Sequence, residues 1–125
     1  MPEQKRERDE LLNAYPPEVK ELALEARRVI LAAIPGIEEM VDATDKVLGY
    51  GFGPGYADLI CTIILSNGGV KLGIVGSAAL PDPDGLLKGT GKRHRYVPCT
   101  TRADLARPGV KRLLQAGVSA WKKKR

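Results

Sequence analysis

The chain has 125 residues, 43% of them hydrophobic and 28% charged, with a formal net charge of +5; this size and balance suit one globular domain and argue against a disordered or fibrous polymer. No apolar run approaches the roughly 20 residues of a membrane-spanning helix, and the N-terminal MPEQKRERDELLNA has no apolar segment of the signal-peptide kind. Cys61 and Cys99 are the two cysteines and neither has a CxxC partner, so no disulfide framework is expected and a reduced, cytoplasmic setting is.

Residues 1–15 alternate in charge without a sustained period, which predicts a flexible or loosely helical arm. Residues 16–125 form the single domain. Pro16-Pro17 open a helix, because proline's missing N–H costs nothing in a first turn. Val19, Leu22, Ala23, Ala26, Val29, Ile30 and Ala33 then recur at helical spacing as one apolar stripe. Pro35-Gly36 ends that helix. A β region follows. Met40 to Thr44 reads as a first strand, and Leu48, Tyr50 and Phe52 alternate with Val47, Gly49 and Gly51 as a second. Leu59, Cys61, Ile63 and Leu65 alternate with Ile60, Thr62 and Ile64, the pattern of a central strand. Asn67-Gly68-Gly69 is a hairpin signal, and Val70, Leu72 and Ile74 lie on the return strand. Arg95 to Cys99 reads as the last strand. Pro108 starts a final helix with the stripe Val110, Leu113, Leu114, Gly117, Val118 and Trp121. Short turns between successive strands imply an antiparallel sheet of about five strands. Helices at both ends of the domain would cover it, giving an α+β two-layer sandwich.

The net charge is local. Lys122, Lys123, Lys124 and Arg125 account for four of the 20 basic residues and Lys88, Lys92, Arg93 and Arg95 for four more; the remaining 12 face 15 acidic residues, a body of −3. A basic patch on a mildly acidic body suits an anionic ligand or an acidic partner better than general coating of a polynucleotide.

The segment LPDPDGLLKGTGKRHRYV, with helix-opening ProPro-Glu-Val, GYGFG, VKLGIV and DLARPGVKRLL, resembles the YdhG-like domain family, small bacterial α+β domains of unknown function. The likeness runs from about Pro16 to Trp121, and GTGKRHR is its most specific part. One branch of that family is described as a frataxin-like intracellular iron chaperone, so the resemblance implies the fold and offers iron donation as an alternative function.

Around residue 90, glycines and cations combine. Gly89-Thr90-Gly91-Lys92 is not a Walker loop, since GxxxxGK[ST] would need glycine at Leu86 and Ser or Thr at Arg93. A looser anion-binding loop needs only accessible backbone N–H groups beside positive charge. Lys88, Gly89, Thr90, Gly91, Lys92, Arg93, His94 and Arg95 are therefore the candidate ligand residues. The bland alternative is that Gly89 and Gly91 only shape the run into the last strand. His94, the one histidine, sits between two arginines, and no nucleophile adjoins it. The Pro81-Asp82-Pro83-Asp84-Gly85 run departs from a calcium loop, whose closing Glu would fall at Arg93; a proline-fixed turn capped by an Asp side chain is the expectation.

Gly49, Gly51 and Gly53 leave one strand face bare, which admits a packed helix, a second subunit or a flat ligand. A pocket lined by Tyr50, Phe52, Tyr56 and the basic loop is the candidate there. For an iron donor, oxygen ligands would come from Glu38, Glu39, Asp42 and Asp45, or from Glu18, Glu21 and Glu25 on one helix face, but frataxin-type binding uses a strongly acidic ridge and the charge here points the other way. An accessory role at nucleic acid lacks interleaved aromatics and helix-turn-helix spacing. No cofactor is implied, and no nucleophile, base and orienter assemble in the sequence as an enzyme would need. A binding protein for a small anion or acidic partner, with a homodimer through the glycine strip as a further option, is the reading these residues favour.

Overall fold

The computed structural model describes residues 2–124, save the side chains of Pro2 and Tyr56. Helix α1 spans Pro2–Asn13, in the stretch where a flexible or loosely helical arm was expected. Its charges are spaced to pair along the helix, with Lys5 to Asp9 at 3.3 Å, and its last turn carries Leu11 and Leu12, which join the core. That apolar pair anchors an otherwise polar helix. Helix α2 (Pro17–Ala33) follows, and its buried side is the expected stripe: Val19, Leu22, Ala23, Ala26, Ile30 and Ala33. Gly36 then turns the chain at φ +84°, a left-handed conformation open to glycine.

The strands are β1 (Glu38–Asp42), β2 (Val47–Gly51), β3 (Leu59–Ser66), β4 (Gly69–Ile74) and β5 (Arg95–Cys99), in spatial order β1-β2-β3-β4-β5 with every neighbour antiparallel. Strand β1 begins and ends two residues earlier than expected, because Asp42 Oδ1 accepts the Asp45 N–H at 3.0 Å and closes residues 42–45 into a turn. The other strands lie where the alternation put them. Between Tyr50 and Gly51 the β2–β3 register shifts, so that Gly51 pairs with Leu59 and Tyr50 with Cys61. The additional residue, Ile60, turns inward beside Leu59, which turns outward.

Helix α3 (Arg102–Ala106), not expected from the sequence, is started by a capping box: Thr101 Oγ1 accepts the Asp104 N–H at 3.2 Å, while the Asp104 carboxylate accepts the Thr101 N–H at 3.1 Å. Helix α4 (Pro108–Lys124) then returns across the sheet. Gly117 lets it come close, since a Cβ there would lie 3.2 Å from Ile74 Cγ2. One continuous core includes Leu12, Ile30, Leu48, Tyr50, Ile63, Leu72, Val97 and Leu114, all fully buried. The result is an α+β sandwich, a five-stranded antiparallel sheet with helices against one face. Among the described residues no helix is long and apolar enough to cross a membrane.

Candidate functional site

The basic loop stands on two pinned feet. On its near side Asp82 Oδ1 and Oδ2 accept the N–H groups of Leu86 and Leu87, each at 2.9 Å. This is the Asp-capped proline turn expected from PDPDG. Lys88 and Tyr96 exchange backbone hydrogen bonds at 2.7 and 3.2 Å. On its far side a short 3₁₀ turn, Ser77–Ala79, holds the approach to β5. Ser77, fully buried, accepts the Arg95 N–H at 2.9 Å and donates to the Arg95 carbonyl at 3.2 Å. Gly76 N–H donates to His94 Nδ1 at 2.9 Å, and Ala78 N–H to the Arg93 carbonyl at 3.0 Å. Between these feet residues 89–94 are exposed. Gly89 has φ +103°, and a Cβ there would sit 2.9 Å from the Tyr96 ring, so the backbone passes where only glycine fits.

Those bonds divide the eight loop candidates. Lys88 Nζ donates to the Gly85 carbonyl at 3.2 Å, and Arg95 Nε to the Gly91 carbonyl at 3.1 Å; both cations brace the loop. His94 carries the Gly76 bond. Gly89, Thr90, Gly91 and Lys92 are exposed. Arg93 leans into a groove of about 750 Å³ between β3, the Ser77–Ala79 turn and the second half of α4, and with His94 and Arg95 it also borders a second hollow of about 580 Å³ on the sheet. The floor of that groove is small and apolar, from Gly76, Ala79, Ala116, Gly117 and Ala120. Trp121 forms a wall, its indole N–H donating to the Ala57 carbonyl at 3.0 Å. Lys123 and Lys124 share the rim with Arg93. These two lysines and the small-residue floor escaped the sequence reading, in which the tail balanced the helix dipole. The signal available was the run of small residues at 116, 117 and 120 immediately before Trp121 and the lysines.

The expected aromatic pocket does not form. Tyr50 points inward, fully buried, and its hydroxyl donates to Glu39 Oε2 at 2.5 Å. Phe52 packs on Trp121 with ring centroids 5.0 Å apart. The side chain of Tyr56 lies outside the described residues, as does Arg125. Of the glycine strip, Gly51 and Gly53 are covered by Asp58, which a Cβ at either position would strike; Gly49 faces the outer side of the sheet but is buried, with Leu59 Cδ1 3.2 Å from where its Cβ would stand.

The carboxylates proposed for iron also separate. Glu39 lies on the inner side of β1, bonded to Arg8 Nη1 at 2.9 Å and Arg27 Nε at 2.7 Å, while Glu38 and Asp42 alternate to the other side. Burial by itself would raise the Glu39 carboxyl, but the bonds from Tyr50, Arg8 and Arg27 outweigh it and hold the group below its ordinary value. Glu25 is tied to Arg28 and Arg102. Among the described residues no three His, Cys, Asp or Glu side chains gather as a metal-binding group. Both thiols are buried, and burial pushes Cys61 up to about 12 and Cys99 up to about 11, values at which a thiolate is scarce near neutral pH.

No protein-family model, curated protein or solved structure matches the chain.

Proposed function

We propose that this protein is a non-enzymatic, cytoplasmic binder of a small anionic ligand, of the YdhG-like kind, and that the ligand's charged group meets Arg93, Lys123 and Lys124 while its apolar part lies along α4. The observation that carries this reading is the placing of Arg93, from the glycine-rich loop, on the same groove rim as the two lysines of the last helical turn. Three cations around one hollow concentrate an anion far more than three spread over a surface. The floor of Gly76, Ala79, Gly117 and Ala120 leaves room for a hydrocarbon or a flat ring against Trp121. The chemistry of the surroundings supports binding over catalysis: the thiols are buried, and His94 is occupied by the Gly76 amide. Free cysteines support a reducing compartment.

Thermal-shift titrations with phosphate, octanoate and octyl phosphate test the reading. Octyl phosphate is expected to raise Tm most, because it satisfies both the rim and the floor. The double change Arg93→Ala with Lys123→Ala should weaken it by about tenfold or more, the equivalent of one charge-assisted hydrogen bond. Equal responses of the variant and the parent protein to all three compounds would remove the proposal.

A further inference from the structure

The outer side of the sheet carries a pattern that the ligand groove does not use. Cross-strand partners share a face, so the ladder sets side chains in rows. One row, β1 to β5, is Met40, Gly49, Thr62, Gly73 and Tyr96; the next is Asp42, Val47, Ile64, Lys71 and Pro98. Apart from Gly49, all of these are half-buried or exposed, and two hollows of about 640 and 580 Å³ meet over Leu59, Thr62 and Ile64.

The first row is a near palindrome centred on β3: a large side chain, glycine, Thr62, glycine, a large side chain. The charges run in the opposite sense. Glu38 and Asp42 stand on the β1 edge with Asp45 in the turn beyond, whereas Lys71 stands on β4 with its Nζ 4.7 Å over the Tyr96 ring, and Arg93 and Arg95 lie beside β5.

We propose that this face docks a second copy of the same chain, the two related by a twofold axis along β3. That axis lays Met40 on Tyr96 of the second copy, Gly49 on Gly73 and Thr62 on Thr62. It also lays the acidic edge of each copy over the basic side of the other, twice. A twofold axis across the strands would instead set the β1 edges against each other, acid on acid. Strands that stay nearly aligned are also how two sheets pack face to face. Gly73 beside Thr62 stays partly open to the second copy, while Leu59 Cδ1 stands over Gly49 and would meet that copy instead. Five strands about 4.8 Å apart and about 17 Å long make a small face, so the pair falls among weak, exchanging interfaces of less than about 1,200 Å² in total.

Sedimentation equilibrium of the full chain from about 10 µM to about 1 mM spans that regime. The mass is expected to rise from 13.5 kDa toward twice that value. Ile64→Glu, which buries a carboxylate beside its own symmetry mate, should weaken association by tenfold or more while the monomer stays folded by circular dichroism. Thr62→Cys should form an intermolecular disulfide under mild oxidation, because the axis brings the two positions together while Cys61 and Cys99 stay buried. If Ile64→Glu does not fold, the Thr62→Cys cross-link decides. A mass of 13.5 kDa at every concentration, or self-association without the Thr62→Cys cross-link, would overturn the proposal.

Discussion

On its helix side the sheet presents Leu48, Tyr50, Cys61, Ile63, Leu72 and Val97, all at 0% exposure, while the same strands turn Val47, Thr62, Ile64, Gly73 and Tyr96 the other way, all partly exposed. Ile63 and Ile64 are adjacent, identical in composition, and differ only in what lies over them. Burial here is decided by α2 and α4, not by the hydrophobicity of the strand. An apolar strand residue is thus core on one face and an available surface on the other.

The widest contrast comes from that pair. Ile63→Ala should cost about 3 kcal/mol or more, as a cavity opens beneath the helices, and Ile64→Ala about 1 kcal/mol or less; chemical denaturation of both variants measures the difference. Comparable losses would mean that the open face is covered as well. Next in size is the polar cluster at the β1 edge of the covered side. Glu39→Gln removes the charge between Arg8 and Arg27 and should cost about 2 kcal/mol, since it takes from the largely buried Arg8 and the partly exposed Arg27 the carboxylate they share. The same site has a pH signature. The folded-state carboxyl lies below its ordinary value of 4.5, so its contribution is fully present above the unfolded value and is lost as pH falls through the folded one. The Tm gap between parent and Glu39→Gln should therefore be constant at neutral pH and close below about pH 4; a gap unchanged to pH 3 would count against this account. Comparable or smaller is Gly51→Ala at the bulge. A methyl there meets the Asp58 carbonyl, and the loss should be about 1–3 kcal/mol with little change at the open face.

Local pattern carried most of the architecture. Alternation located β2 through β5, the span Arg95–Cys99 matched, and prolines 17 and 108 marked the starts of both long helices. Leu11 and Leu12 were hidden because two apolar residues at the end of a charged run make no stripe by themselves. Their burial exists only because α2 and β1 lie beneath them. Tyr50 shows the limit for the site. Its period-2 placement opposite the glycines is right, but which face becomes the interior depends on helices distant in sequence, and that choice sent its hydroxyl to Glu39. The loop 88–95 was recognised by composition. Lys88 and Arg95 are spent on carbonyls three and four residues away, a choice fixed by how the loop backbone turns rather than by its composition, whereas Lys123 and Lys124 stand beside Arg93 because segments about thirty residues apart meet in space.

The register shift in β3 sets two neighbours back to back, Ile60 toward α4 and Leu59 toward the outside, and Leu59 borders both the groove along the last helix and the hollows of the bare sheet. Ala57, Val75 and Arg93 border the groove and the nearer hollow as well, so the two chambers share a wall built from these four residues. A side-chain shift in that wall changes the shape of both chambers at once.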